Sequence, residues 1–129
     1  WGDADSGGDA SAVAGQLWEV TQIQASSAAF AAIRKDGSVV TWGLREDGGD
    51  SSGVQNRLGG VRHIQASRSA FAAILETGSV VTWGDPEYGG DSTAVQPQLT
   101  SIQHIQACHR AFAALREDGC VVTWGCARF

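Results

Sequence analysis

Apolar residues recur along this chain with two spacings, and the switch between them is periodic. Val13 and Leu17 stand four residues apart, which puts both on one edge of a short helical turn. Glu19 to Ala25 then alternates, with Ile23 and Ala25 on one face and Gln24 on the other, the period-two mark of a strand. Ala29 to Arg34 is small and apolar on both faces, as an inner strand closely approached by its neighbours must be. Lys35-Asp36-Gly37-Ser38 interrupts the pattern, and Asp-Gly between two strand-like runs signals a hairpin. Its second arm, Val39-Val40-Thr41-Trp42, is branched and aromatic and suits a pleated sheet. Val39 and Thr41 are expected on one side, Val40 and Trp42 on the other.

The series then starts again. Tryptophans stand at 1, 42, 83 and 124, a constant step of 41, and divide the chain into repeats 1–41, 42–82 and 83–123. Residues 124–129 begin a further repeat or form a C-terminal tail, so 1–129 reads as a single repeat domain. The columns kept in all three copies are mostly apolar or glycine, including those of Leu17, Ile23, Ala29, Phe30, Ala31, Gly37 and Val39. Gly15, Gly53 and Pro97 hold the helical element to one or two turns, because glycine costs about 1 kcal/mol and proline about 3 kcal/mol in a helix interior. Each Trp-Gly is followed by a polar loop ending in Gly-Gly-Asp, whose aspartate can cap a helix start. Thr77, where the other copies have Asp36 and Asp118, weakens the hairpin signal of the middle copy. The expected unit is a three-stranded antiparallel sheet plus a helical turn. One such unit cannot bury its own faces, so neighbours must stack.

The segments Ile64-Gln65-Ala66-Ser67, Ala70-Phe71-Ala72-Ala73-Ile74 and Gly78-Ser79-Val80-Val81-Thr82-Trp83-Gly84 resemble the repeat of the RCC1 (regulator of chromosome condensation 1) family. The resemblance extends over all three copies. It implies a mainly β fold of propeller blades, most often seven to a ring. Two features depart from the family pattern. The repeat is shorter, and Gly-Gly-Asp with a helical stretch replaces the usual Asn-x-x-Gly-Gln-Leu-Gly segment after Trp-Gly. Three units are too few to close such a ring, so the expectation is a partial propeller or a compact pseudo-threefold stack: part of a longer chain, an association of copies, or an open arc. The wording also resembles long repeat arrays of unicellular algae. That likeness implies an algal, plastid-associated setting, peripheral to a photosynthetic or other membrane complex.

Charge narrows the function classes. The formal net charge is −5 with the basic residues scattered, which argues against the concentrated basic stripe of a nucleic-acid surface. No apolar run approaches the length of a membrane-spanning helix. Cys108, Cys120 and Cys126 are an odd set confined to the last third and form no disulfide framework.

Candidate chemistry is sparse. The tryptophans of the repeat could stack on a ligand, but a core wedge between repeats is the better reading. Trp18 stands where the other copies have Gly59 and Thr100, and so is a candidate contact residue. Asp3, Asp5 and Asp9 with Gly7 resemble the opening of a calcium loop, yet the twelfth position is Ala14 rather than the bidentate glutamate such a loop needs. Cys108, His104, His109, Cys120 and Cys126 have zinc-ligand chemistry without Cys-x-x-Cys spacing, and Cys108 and Cys120 replace serines of the other copies. No segment sets a nucleophile beside a base, and the Gly-Gly loops lack the lysine of a phosphate-binding loop. The expectation is therefore a non-catalytic, cofactor-free interaction or scaffolding module, a subunit or fragment of a larger assembly with protein partners. Residues that differ between copies would do the recognising: Trp18, Arg45, Arg57, Arg62, Arg68, Tyr88, His109 and Arg110. The alternative is an ion- or small-ligand-binding propeller that uses the Asp/Gly-rich loops.

Overall fold

Among the described residues, nine strands in three sheets of one design carry the architecture. A computed structural model describes residues 2–126 of the chain. The strands are β1 (Val20–Ala25), β2 (Ala29–Arg34) and β3 (Val39–Gly43), then β4 (Val61–Ala66), β5 (Ala70–Leu75) and β6 (Val80–Gly84), then β7 (Ile102–Ala107), β8 (Ala111–Arg116) and β9 (Val121–Gly125). Each sheet is an antiparallel meander in chain order, so β2, β5 and β8 lie centrally. The registers repeat as well: Phe30 faces Trp42, Phe71 faces Trp83 and Phe112 faces Trp124.

The hairpin between the second and third strands forms in every copy, Thr77 included, because the turn rests on the glycine. Gly37 has φ +83, and a Cβ there would come within 2.9 Å of the Gly60 Cα. Only glycine allows both the left-handed backbone and that approach. The contact lets the Val61 N–H donate to the Gly37 carbonyl at 3.0 Å, and Ile102 does the same to Gly78. The first two hairpin tips are thereby tied to the start of the next sheet.

The short helical stretches expected around Val13–Leu17 and their counterparts are 3₁₀ turns, Ala14–Gln16, Gln55–Arg57 and Thr93–Gln98. Gly15, Gly53 and Pro97 deny them the length on which α-helical hydrogen bonding depends. The first strand starts at Val20, not Glu19: Glu19 is left-handed at φ 51, and its carbonyl accepts from Lys35 N at 2.7 Å. A bulge between Val61 and His63 follows in the second sheet, with equivalents in the other two. It breaks simple alternation and turns both Val61 and Ile64 into the core.

The core lies between sheets, not within them. Ala29, Ala31, Ile33 and Val39 on the back of the first sheet pack against Leu58, Val61, Ile64, Phe71, Ala73, Val81 and Trp83 on the front of the second. The same columns, moved on by one repeat, join the second sheet to the third. Alanines on the central strands let the layers approach closely, and each fully buried Phe or Ile contributes roughly 1.5–3 kcal/mol. The first strands neighbour one another, β1 beside β4 and β4 beside β7, and the sheets fan outward from them as blades of a partial propeller. Trp83 and Trp124 are buried wedges between these layers and Trp42 is half-buried, while Trp1 lies outside the described residues.

Candidate functional site

At one end of the blades, the turns joining first and second strands form a row. The Ser27 N–H donates to the Arg68 carbonyl at 2.7 Å, and the Arg68 N–H donates to the His109 carbonyl at 3.0 Å. Positions 27, 68 and 109 share one column, so this backbone ladder presents a serine, an arginine and a histidine side by side. Beneath it, Ser26 and Ser67 hydroxyls donate to the carbonyls of Asp47 and Tyr88, fixing the 3₁₀ turns Arg45–Asp47 and Pro86–Tyr88 against the row.

Four of the sequence-selected residues meet there. Arg68 Nη1 donates to His109 Nε2 at 3.1 Å, which makes Nε2 the unprotonated ring nitrogen. The His109 and Tyr88 rings are 6.2 Å apart and tilted. The Arg110 guanidinium lies over the Tyr88 ring at 4.8 Å and donates to its hydroxyl at 3.1 Å, a cation–π contact with a polar clasp. That hydrogen bond is the main cause of the raised Arg110 pKa. Arg110 also reaches Cys126 Sγ at 3.8 Å. Arg68 and His109 are exposed, while Tyr88 and Arg110 are half-buried. The result is a cationic, aromatic tip with fixed ring planes.

The other four selected residues lie elsewhere. Arg45 pairs with Asp50 at 3.3 Å along an open groove shared with Glu46, Asp85 and Pro86. Arg57 is exposed on the turn Gln55–Arg57. Arg62 donates to the Ile102 carbonyl at 2.6 Å, and so ties two blades together. Trp18 is 51% exposed with the Arg34 guanidinium 4.6 Å over its ring, on the first blade.

The acidic loops spend their carboxylates on their own backbone. Asp3 Oδ1 accepts from Asp5 N and Asp9 Oδ1 from Ser11 N, each at 2.9 Å. Ser11, through its side chain first and its backbone second, lowers the Asp9 pKa. Among the described residues, no three His, Cys, Asp or Glu side chains gather as a metal site, and Cys108, Cys120 and Cys126 are free thiols. Among the same residues no helix is long and apolar enough to cross a membrane.

Several structural ties escaped the sequence reading. Thr41 shares a 2.8 Å hydrogen bond with Ser51, and Gln55 donates to the Val39 carbonyl at 3.1 Å; Thr82, Ser92, Gln96 and Val80 repeat this set. On the inner strands, His63 and His104 stack at 6.4 Å. The signal was present: each pair occupies matching columns in successive copies.

No protein-family model matches the chain, and no curated protein matches it. Solved structures do. The blades have the RCC1-like repeat fold, the class that the meander sheets and their fanned packing define. Among the similar structures are Prp20p of Saccharomyces cerevisiae, described with its binding to Gsp1p and histones, at TM-score 0.60 and 17% identity over 82% of this chain, and the same yeast RCC1 bound to Kap60 at TM-score 0.59. Human WBSCR16 follows at TM-score 0.56 and 21% identity, over 82% of this chain. A computationally designed protein, Ika4, matches at TM-score 0.50 and 18% identity, covering 84% of this chain and 66% of its own. The chain spans 30% of the Prp20p chain, 29% of it in the Kap60 complex, and 34% of WBSCR16. These likenesses concern the fold.

Proposed function

We propose that this chain is a non-catalytic protein-interaction module, a single repeat domain over 1–129, and that it recognises its partner through the tip formed by Arg68, Tyr88, His109 and Arg110. The observation that carries the reading is that four residues absent from the common repeat converge, with defined hydrogen bonds and ring contacts, at one end of an otherwise repetitive frame. Tyr and Arg anchors held by neighbours are the kind of group that concentrates binding energy at interfaces. Partners in the fold class support the direction: Prp20p binds Gsp1p and histones, and Kap60 binds yeast RCC1. With two guanidinium groups at the tip, the complementary partner surface carries carboxylates. The test is co-purification with the natural partner. A stoichiometric protein retained by the unaltered chain and by Arg57→Ala, but lost by the combined R68A/Y88A/R110A variant, supports the reading. A partner retained equally by all three overturns it.

A further inference from the structure

The inner edge of the fan, formed by β1, β4 and β7, carries none of the chain's 14 acidic residues, although the formal net charge is −5. Its polar positions hold amides, two histidines, a threonine and one arginine. In the column of Gln22 the second and third blades place His63 and His104, whose rings stack at 6.4 Å with planes 16° apart. Two residues on, in a column of glutamines, the Gln65 amide donates to His63 Nε2 at 3.5 Å and the Gln106 amide to His104 Nε2 at 3.2 Å. Arg62 crosses the same seam and donates to the Ile102 carbonyl at 2.6 Å.

We propose that this seam binds a tetrahedral oxyanion, a phosphate or sulfate group, at the His63 and His104 rings, and that the anion is taken up together with protons on the imidazoles. Imidazole is the side chain that ordinarily gains its charge between about pH 5 and pH 8. A protonated ring nitrogen can no longer accept from the glutamine amide. Ring and amide are then donors facing one another, and an acceptor oxygen placed between them satisfies both. Two such pairs from adjacent blades, with a guanidinium beside them, offer one anion several charge-assisted donors.

The local field acts in the same direction. Burial, then His104 and Arg62, lower the His63 pKa. The two cationic neighbours oppose a proton on His63 and attract an anion, and a bound anion offsets them, so anion and proton each favour the other. Among the described residues, the elements packed on the pair add no carboxylate. His63 pairs with the apolar Ile74 on β5 and His104 with Leu115 on β8, while β1 contributes the Gln22 amide, which donates to the Arg62 carbonyl at 3.5 Å. The seam shares no residue with the tip formed by Arg68, Tyr88, His109 and Arg110.

Calorimetric titration of the 129-residue chain with sulfate tests the site, at pH 5.5 and pH 8 and at constant ionic strength made up with chloride. Sulfate keeps both charges across this range, so any pH dependence belongs to the protein. The expected result is one sulfate per chain, bound at least about tenfold more tightly at pH 5.5. Proton NMR of the three histidine rings should show the His63 pKa rising when sulfate is added. His63→Gln and His104→Gln each copy Gln22, which the fold already holds in that column, and each weakens binding at pH 5.5 about fivefold or more. Arg57→Ala, which removes an exposed charge on the turn Gln55–Arg57, leaves binding unchanged. Inorganic phosphate and O-phosphoserine are then compared: tighter or equal binding of the first assigns a free ion, and tighter binding of the second a phosphoryl group on a larger molecule. Absence of saturable binding, equal affinity at the two pH values, or affinity unaltered in both glutamine variants overturns the proposal. An Arg57→Ala loss as large as theirs also overturns it, because the attraction then belongs to overall charge.

Discussion

The Trp83 indole N–H donates to the Gly48 carbonyl at 3.1 Å, across 35 residues and from one blade's third strand to the loop that precedes its own sheet. Trp42 to Gly7 and Trp124 to Gly89 repeat the bond. In each case the ring also stacks on the phenylalanine opposite, at 5.4 Å for all three pairs.

Trp83→Phe keeps much of the stacking and loses the donor. Because the site is buried, the Gly48 carbonyl is left without that partner, and the expected loss is about 1–3 kcal/mol. Trp42→Phe, at a half-buried ring, is expected to lose less. Urea unfolding of the two variants side by side checks the order.

Gly48 sits at φ +100, and a Cβ there would meet Phe71 Cδ2 at 2.5 Å. Gly48→Ala is therefore expected to destabilise by about 1–3 kcal/mol, from backbone strain and displacement of the ring. Gly53→Ala, where a Cβ meets nothing within 4 Å, is expected to stay within about 0.5 kcal/mol of the parent. Thermal melts of both variants decide it.

Ser92 is buried in a chain of hydrogen bonds that joins Thr82 to Gln96, and through Gln96 to the Val80 carbonyl. Ser92→Ala leaves Thr82 and Gln96 short of a partner, with an expected cost of about 1–3 kcal/mol. Thr82→Val combined with Ser92→Ala should cost less than the sum of the two single changes, since both remove the same bond. A double-mutant cycle measures the shortfall.

The pKa of His63 is lowered by burial, then by the neighbouring His104 and Arg62. A depressed histidine binds its proton more weakly folded than unfolded. Its stabilising contribution is thus complete above the unfolded value near 6.5 and declines as pH falls through the folded value. The melting temperature is expected to drop between pH 7 and pH 5, and His63→Gln, which copies Gln22 of the first blade, should flatten that drop. Asp36, Asp50 and Asp91 are lowered chiefly by the side chains of Ser38, Ser52 and Thr93, so their contributions persist further down and are lost only in acid, as pH falls through the depressed folded values.

The sheets were legible because Val-Val-Thr-Trp, the Ala-Phe-Ala-Ala run and the turn glycine each state a local preference that the packing only confirms. What was not legible depends on direction. The bulge after Val61 decides that His63 faces the inner edge beside His104, and no residue at the bulge announces it. Arg62 had the composition of a contact residue, yet its guanidinium closes on the Ile102 carbonyl of the next blade. Arg68 and His109 were separately conspicuous as departures from the repeat. Their meeting follows from sharing one column in adjacent blades, which a comparison of columns would have revealed. Val13 and Leu17 marked a short helical turn without fixing its type, because two apolar residues four apart fit a 3₁₀ turn flanked by extended chain as well as an α-helix.

Each Trp-Gly loop bolts onto the sheet that follows it, by the indole bond and by Gly48 lying against Phe71, so the energetic module is out of phase with the sheet boundary. A fragment trimmed to three strands loses its lid, whereas one beginning at the glycine pair carries it along. Tandem duplication can therefore lengthen or shorten such an array by whole periods, and every internal copy inherits a finished set of seams.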